Sequence, residues 1–213
     1  MNLEDKQTRF NRIITTIQTC KKCRLCETAT QAVPGEGNIN AELVFIGEAP
    51  GEKEDLSGRP FVGRAGLLLD KLLEKIGMTR SDVWIGNIVK HRPPQNRDPL
   101  PDEIAACSPY LAMQLELIAP LLIVTLGRYA MSYFHPAGKI SLDHGNVITL
   151  PKFSLFPVYH PAAALRNPSF AKALVNDFVQ IPKILEQVKN STERAELTKK
   201  ADTSEDAQLG LNL

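Results

Sequence analysis

Four short apolar runs set the tightest limit on how this chain can fold. They are Leu43-Val44-Phe45-Ile46, Val83–Val89, Leu121–Leu126 and Leu155–Tyr159. Each has the length of a buried strand and carries the β-branched or aromatic residues that strands favour. Each breaks off at a loop marked by glycine, proline or histidine. A further run at 146–150 adds another short strand. Between these runs the apolar spacing is helical: Phe10, Ile13, Ile14 and Ile17 within 4–19, then Leu67, Leu68, Leu72, Leu73 and Ile76 before Gly77. Pro101-Asp102-Glu103 opens another helix, with proline in the first turn and acids near the positive end of the dipole. One more follows Gly127, and a last one covers 169–188, where Pro182 kinks or interrupts it. Strands alternating with helices predict an α/β protein, a three-layer α/β/α sandwich with a largely parallel central sheet.

The 213 residues, 43% hydrophobic and 23% charged, suit one globular domain with a sizeable core. The domain is expected over 1–188, with a polar tail at 189–213 that lacks the means to fold. No apolar run approaches the roughly 20 residues of a membrane span. Met1–Lys6 is polar and lacks the apolar stretch of a secretory signal, so a cytoplasmic protein without membrane association is expected. The net charge of +1 gives no overall sign of a polyanionic partner, so any such contact must be local.

Cys20, Cys23 and Cys26 fall within seven residues, and Cys107 is the fourth cysteine. In a reducing compartment such crowding points to metal ligation rather than disulfides.

In open α/β sheets ligands bind at the carboxyl ends of the strands, so the loops there hold the candidate chemistry. The first begins Gly47-Glu48-Ala49-Pro50-Gly51 and runs to Gly63. Gly47 permits close approach of a ligand to the backbone, Glu48 can orient a water, and Phe61 follows neither a helical nor a strand period. The plainer alternative is a turn with Phe61 plugging the core. Asn87 interrupts an apolar strand; its amide offers one donor and one acceptor to a pyrimidine edge, or else bonds the backbone. Lys90–Arg97 is cationic and stiffened by two prolines, as a phosphate-facing loop or a solvated one. His160 ends the last strand and could stabilise an oxygen gaining negative charge, or serve as a buried structural histidine.

Read in series, these segments closely resemble the family 4 uracil-DNA glycosylases, from Cys20 to about Arg166. The resemblance rests on Gly47–Gly51, Gly58–Gly66, Gly86–Lys90, Arg92–Pro99, Cys107 and His160–Arg166, in the family's order and spacing. It implies a uracil-DNA glycosylase-like fold, uracil-containing DNA as partner, a monomeric enzyme, and excision of a base flipped into a pocket. By position, Glu48 places the hydrolytic water and Phe61 stacks on uracil beside Gly47. Asn87 reads O4 and N3–H, and His160 stabilises the departing anion. The segment after His160 matches an intercalating loop, with Leu165 as wedge and Arg166, Arg92 and Arg97 as backbone contacts. Ala163 and Ala164 stand where relatives commonly carry bulkier side chains.

The family also implies a [4Fe–4S] cluster. Cys20, Cys23 and Cys107 match three of its four ligands, and His91 stands at the fourth. His91 is the assigned ligand, since nitrogen ligation of iron–sulfur centres is known. Closure by Cys26 in ferredoxin-like spacing, or a zinc site, are the alternatives. Two other functions compete: a relative that traps uracil covalently or takes another deaminated base, and a non-catalytic iron–sulfur DNA-binding module. The covalent relatives carry an extra basic loop, which the short Arg92–Pro99 segment lacks.

Overall fold

The computed structural model describes residues 3–192. Its centre is a six-stranded sheet. The strands are β1 (Glu36–Gly37), β2 (Leu43–Gly47), β3 (Trp84–Asn87), β4 (Leu122–Leu126), β5 (Ile148–Thr149) and β6 (Ser154–Val158), ordered β1-β3-β2-β4-β6-β5. The four inner strands run parallel, and the two-residue edge strands are antiparallel. Every residue of β2, β3, β4 and β6 is buried. That is why these segments read as unbroken apolar runs: a parallel sheet is covered on both faces.

Alternation along each strand sorts the core into two layers. Val44, Ile46, Trp84, Ile123 and Leu155 face α1 (Leu3–Gln18), α5 (Pro101–Ile118) and α6 (Arg128–Phe134). Leu43, Phe45, Ile85, Val124 and Phe156 face α4 (Arg64–Lys75), α9 (Pro168–Phe178) and a helix, α10, described over 181–192. On the first face Phe10 of α1 meets Trp84 edge-on, ring centroids 6.4 Å apart. On the second, Phe45 stacks on Phe178 at 5.6 Å. Truncating either buried Phe to Ala would cost about 3–5 kcal/mol. The three-layer α/β/α sandwich is thus the observed fold.

Several elements depart from the sequence reading. The 47–63 segment contains a helix, α3 (Glu52–Ser57), because Glu54 accepts the amide of Gly51, its N-cap. Three further single-turn helices, α2 (Leu25–Thr28), α7 (Ile140–Asp143) and α8 (Pro161–Ala164), follow α1, β4 and β6. The strand expected over 83–89 ends at Asn87, and 146–150 contributes only Ile148–Thr149. Pro182 separates two helices rather than bending one: α9 stops at Phe178, and the next helical residue is 181. That helix includes 189–192, four residues assigned to the tail; the rest of the tail lies outside the described residues. Among the described residues no helix is long and apolar enough to cross a membrane.

Candidate active site

The carboxyl ends of β2, β3, β4 and β6 lie side by side, and the strand order reverses at β2, where α/β sheets form their ligand crevice. Gly47 ends β2 opposite Asn87, its registered partner on β3. The pairing continues past both strands, with Ile88 N–H donating to Gly47 O (3.0 Å) and Val89 N–H to Glu48 O (3.2 Å). A Cβ added to Gly47 would stand 2.4 Å from Asn87 Oδ1 and 2.5 Å from Phe61 Cζ. Only hydrogen fits between these two side chains. The Phe61 ring lies 5.9 Å from the His160 ring, at 30°. Asn87, Phe61 and His160, the three side chains assigned to the base, therefore share one location.

The polar groups there are primed for a ligand. Asn87 is 1% exposed, yet its Oδ1 has no hydrogen-bond partner among the described residues. A buried acceptor left open costs about 1–3 kcal/mol, so a donor belongs there. The backbone on the other side of Asn87 is fixed: its carbonyl accepts from Lys90 Nζ at 2.9 Å. His160 is the N-cap of α8, and its Nδ1 accepts the Ala162 amide at 3.0 Å. An Nδ1 that accepts carries no proton, so the neutral ring holds its hydrogen on Nε2 as a donor. Burial lowers the His160 pKa to about 4, outweighing the nearby Glu54, so the ring is neutral at physiological pH. Gly127, in the left-handed region at φ 89°, passes so close that its Cβ would sit 2.9 Å from that of His160.

Glu48 is partly buried beside this group. Burial, then the Asp98 carboxylate, raise its pKa to about 7, against the pull of Arg128. A carboxylate poised near neutrality is suited to general-base work. Sequence reasoning missed its surroundings. The Tyr129 hydroxyl donates to Asp98 and accepts from Arg128 Nη2 at 2.7 Å, and the Arg128 guanidinium lies over the Tyr129 ring at 4.4 Å. The only signal was position: Arg128-Tyr129 directly follows a strand end.

These features bring together at one end of the sheet an aromatic ring packed into the second core layer, an orphaned amide acceptor, a neutral imidazole donor and a carboxylate near its pKa. Residues 34–181 match the model of the uracil DNA glycosylase superfamily. A type-4 uracil-DNA glycosylase from Saccharolobus solfataricus is 49% identical over 179 residues, 79% of this chain and 83% of that protein. One from Sulfurisphaera tokodaii is 48% identical, covering 76% and 79%. Another from Archaeoglobus fulgidus is 46% identical, covering 79% and 89%.

The chain belongs to the type-4 uracil-DNA glycosylase family. For this glycosylase-family chain, the remaining assigned residues fall into two groups. Leu165 is 43% exposed, just past α8, and Arg166 is exposed beside it. Ala164 is buried in the second core layer, which accounts for its small size. Arg92 is partly exposed and donates to Asn96 Oδ1 at 2.7 Å. The Arg97 guanidinium forks onto the fully buried Glu103 at 2.6 and 2.9 Å and also donates to Asp98 O, while about a third of its side chain stays exposed.

The second group is the metal candidates. Cys20, Cys23, Cys107 and His91 line one small cavity with Lys90, Tyr110, Ile17 and Ala106; Cys26 is not part of that lining. No three such donors among the described residues converge tightly enough to hold a single metal ion. Tyr110 donates to Cys20 Sγ at 3.3 Å. Burial raises the Cys107 pKa, while the charge of Lys90 and its backbone amide act the other way. Lys90 is itself 1% exposed and forms no salt bridge with a carboxylate among the described residues.

Proposed function

We propose that this protein is a uracil-DNA glycosylase that hydrolyses the bond between uracil N1 and deoxyribose C1′ in DNA, initiating base excision repair. The observation that carries the reading is the buried, unpartnered Oδ1 of Asn87, held against Phe61 at Gly47. Uracil supplies what is missing: its N3–H donates to Oδ1, and its O4 accepts from the amide nitrogen. Cytosine presents an acceptor at N3 and a donor at N4, which reverses the pattern and leaves Asn87 unpaired. The base reaches the slot by leaving the stack, with Leu165 filling the vacated step and Arg166 and Arg92 holding phosphates.

With uracil stacked on Phe61, the Nε2–H of His160 donates to O2. As the N1–C1′ bond breaks, the electron pair leaves with uracil, and this donor opposes the growing charge on the anion. Water, oriented and deprotonated by the Glu48 carboxylate, adds its oxygen to C1′. The products are free uracil and an abasic site. A preorganised donor of this kind is worth about 100- to 1000-fold in rate.

Cys20, Cys23, Cys107 and His91 would hold a [4Fe–4S] cluster, which supplies a structural cross-link between α1, the 88–91 segment and α5. The slot is complete within one chain, which supports a monomer, and ligation by free thiols suits the cytoplasm. The test is release of free uracil from a uracil-containing oligonucleotide by wild type, Asn87→Ala and His160→Ala. Wild-type release, with both variants reduced at least 100-fold, supports the reading. No release, or a stable protein–DNA adduct, overturns it.

A further inference from the structure

Phe61 holds a left-handed backbone at φ 52°, which a bulky L-residue adopts only when its surroundings impose it. Both peptide groups that flank it are gripped by charged side chains. Arg80 donates at 2.9 Å through Nη1 to Pro60 O, in the upstream peptide, and through Nη2 to Phe61 O, in the downstream one. Glu54 Oε1 of α3 accepts the amides of Val62 (2.8 Å) and Gly63 (2.7 Å).

Neither gripping group is free to drift. Arg80 is anchored to Glu36 of β1 at 2.6 Å and to Asp70 of α4 at 2.7 Å. Glu54 is also tied to the Gly51 amide at 3.2 Å, at the start of its own helix. The backbone space is closed as well: a Cβ on Gly66 of α4 would lie 1.7 Å from Phe61 O. The forked guanidinium and the two-oxygen carboxylate thus hold four consecutive residues, 60–63, by their polar backbone atoms. Their combined effect is to fix the direction in which the Phe61 ring leaves the backbone, toward Gly47 and His160.

We infer that Glu54 and Arg80 form a clamp that sets the Phe61 ring for stacking on the base, and act as positioning residues for uracil recognition. The inference rests on the proposed glycosylase reading and extends it to two side chains that never touch the base. A clamp of this kind acts on the base slot and not on the grip of the rest of the DNA. It predicts a split between two affinities: one for free uracil, read as product inhibition, and one for an oligonucleotide carrying a tetrahydrofuran abasic-site analogue.

The experiment compares wild-type holoprotein with Arg80→Met, Arg80→Lys, Glu54→Ala and Glu54→Gln, each checked for cluster absorbance and thermal unfolding. Losing a charge-assisted hydrogen bond corresponds to roughly 10- to 100-fold. Arg80→Met and Glu54→Ala should raise the inhibition constant for uracil by about that factor, while affinity for abasic DNA changes less than about threefold. Glu54→Gln keeps an oxygen acceptor and should recover most of the loss. Arg80→Lys, a point donor in place of a fork, should recover less. An unchanged uracil constant in folded variants, or equal loss of both affinities in the mild Gln and Lys variants, would overturn the clamp. Wild type without uracil release would instead remove the underlying reading, so the two failures are distinguishable.

Discussion

Replacing Glu48 by glutamine should make the protein more stable and nearly inactive, with the stability gain visible only at higher pH. Burial and Asp98 raise the Glu48 pKa from 4.5 to about 7. Between those values the folded protein keeps a proton that the unfolded chain has released. The stability due to the neutral acid is therefore complete below about pH 4.5 and lost as pH rises through about 7. At about 1.4 kcal/mol per pH unit the whole interval is worth about 3 kcal/mol. Partial access to water reduces the realistic figure to about 1–2 kcal/mol. Glutamine keeps the shape and never ionises, so it escapes this loss. Melting curves at about pH 5 should place the two proteins within about 2 °C of each other, and at about pH 8.5 the variant should melt about 2–6 °C higher. His160, whose pKa is lowered to about 4, destabilises the fold as pH drops below 6.5, but it does so equally in both proteins. Single-turnover excision should rise with an apparent pKa near 7 in wild type and fall about 100- to 1000-fold in the variant. A melting difference that does not change with pH, or a variant less stable than wild type at about pH 8.5, would refute this account of Glu48.

Other substitutions test other contacts. Gly47→Ala puts a methyl where Asn87 and Phe61 already meet; it should destabilise the fold by about 1–3 kcal/mol in denaturant titrations and lower uracil excision at least 100-fold, roughly the effect of losing one slot contact. Arg97→Ala leaves Glu103 buried without its main partner. It should lower stability by about 1–3 kcal/mol while leaving the salt dependence of DNA binding unchanged, whereas Arg166→Ala should reduce the slope of log K against log salt by about 1. His91→Ala should lower iron content and cluster absorbance while Cys26→Ala retains both, and the opposite outcome would transfer the fourth position to Cys26.

The inner sheet was legible because buried parallel strands leave apolar runs that nothing else of that length explains. Asn87 and His160 stood out for related reasons: one is a polar residue interrupting such a run, the other a histidine at the end of one. Strand β1 left no comparable trace. It is two residues long, and Gly35 before it and Gly37 within it, at φ 115° and 119°, pack against Trp84 and Val83 O, a fit set by tertiary contact. Helix α3 was hidden by the glycines and prolines around it, since its start depends on Glu54 folding back to Gly51. The Arg97–Glu103 pair left no trace, because charge in a proline-rich loop looks solvated until its partner, in the first turn of α5, is placed in space. The Arg80 contacts to Pro60 and Phe61 span 20 and 19 residues, with no pattern in the chain to announce them.

The buried Lys90 joins two regions with different tasks. Its ammonium reaches the Asn87 carbonyl, while the same side chain forms a wall of the cavity containing Cys20, Cys23 and Cys107. Oxidative loss of whatever those sulfurs hold would leave that ammonium facing an altered wall, one residue contact away from Asn87. A change at the sulfurs would therefore reach the backbone of Asn87 through a single side chain.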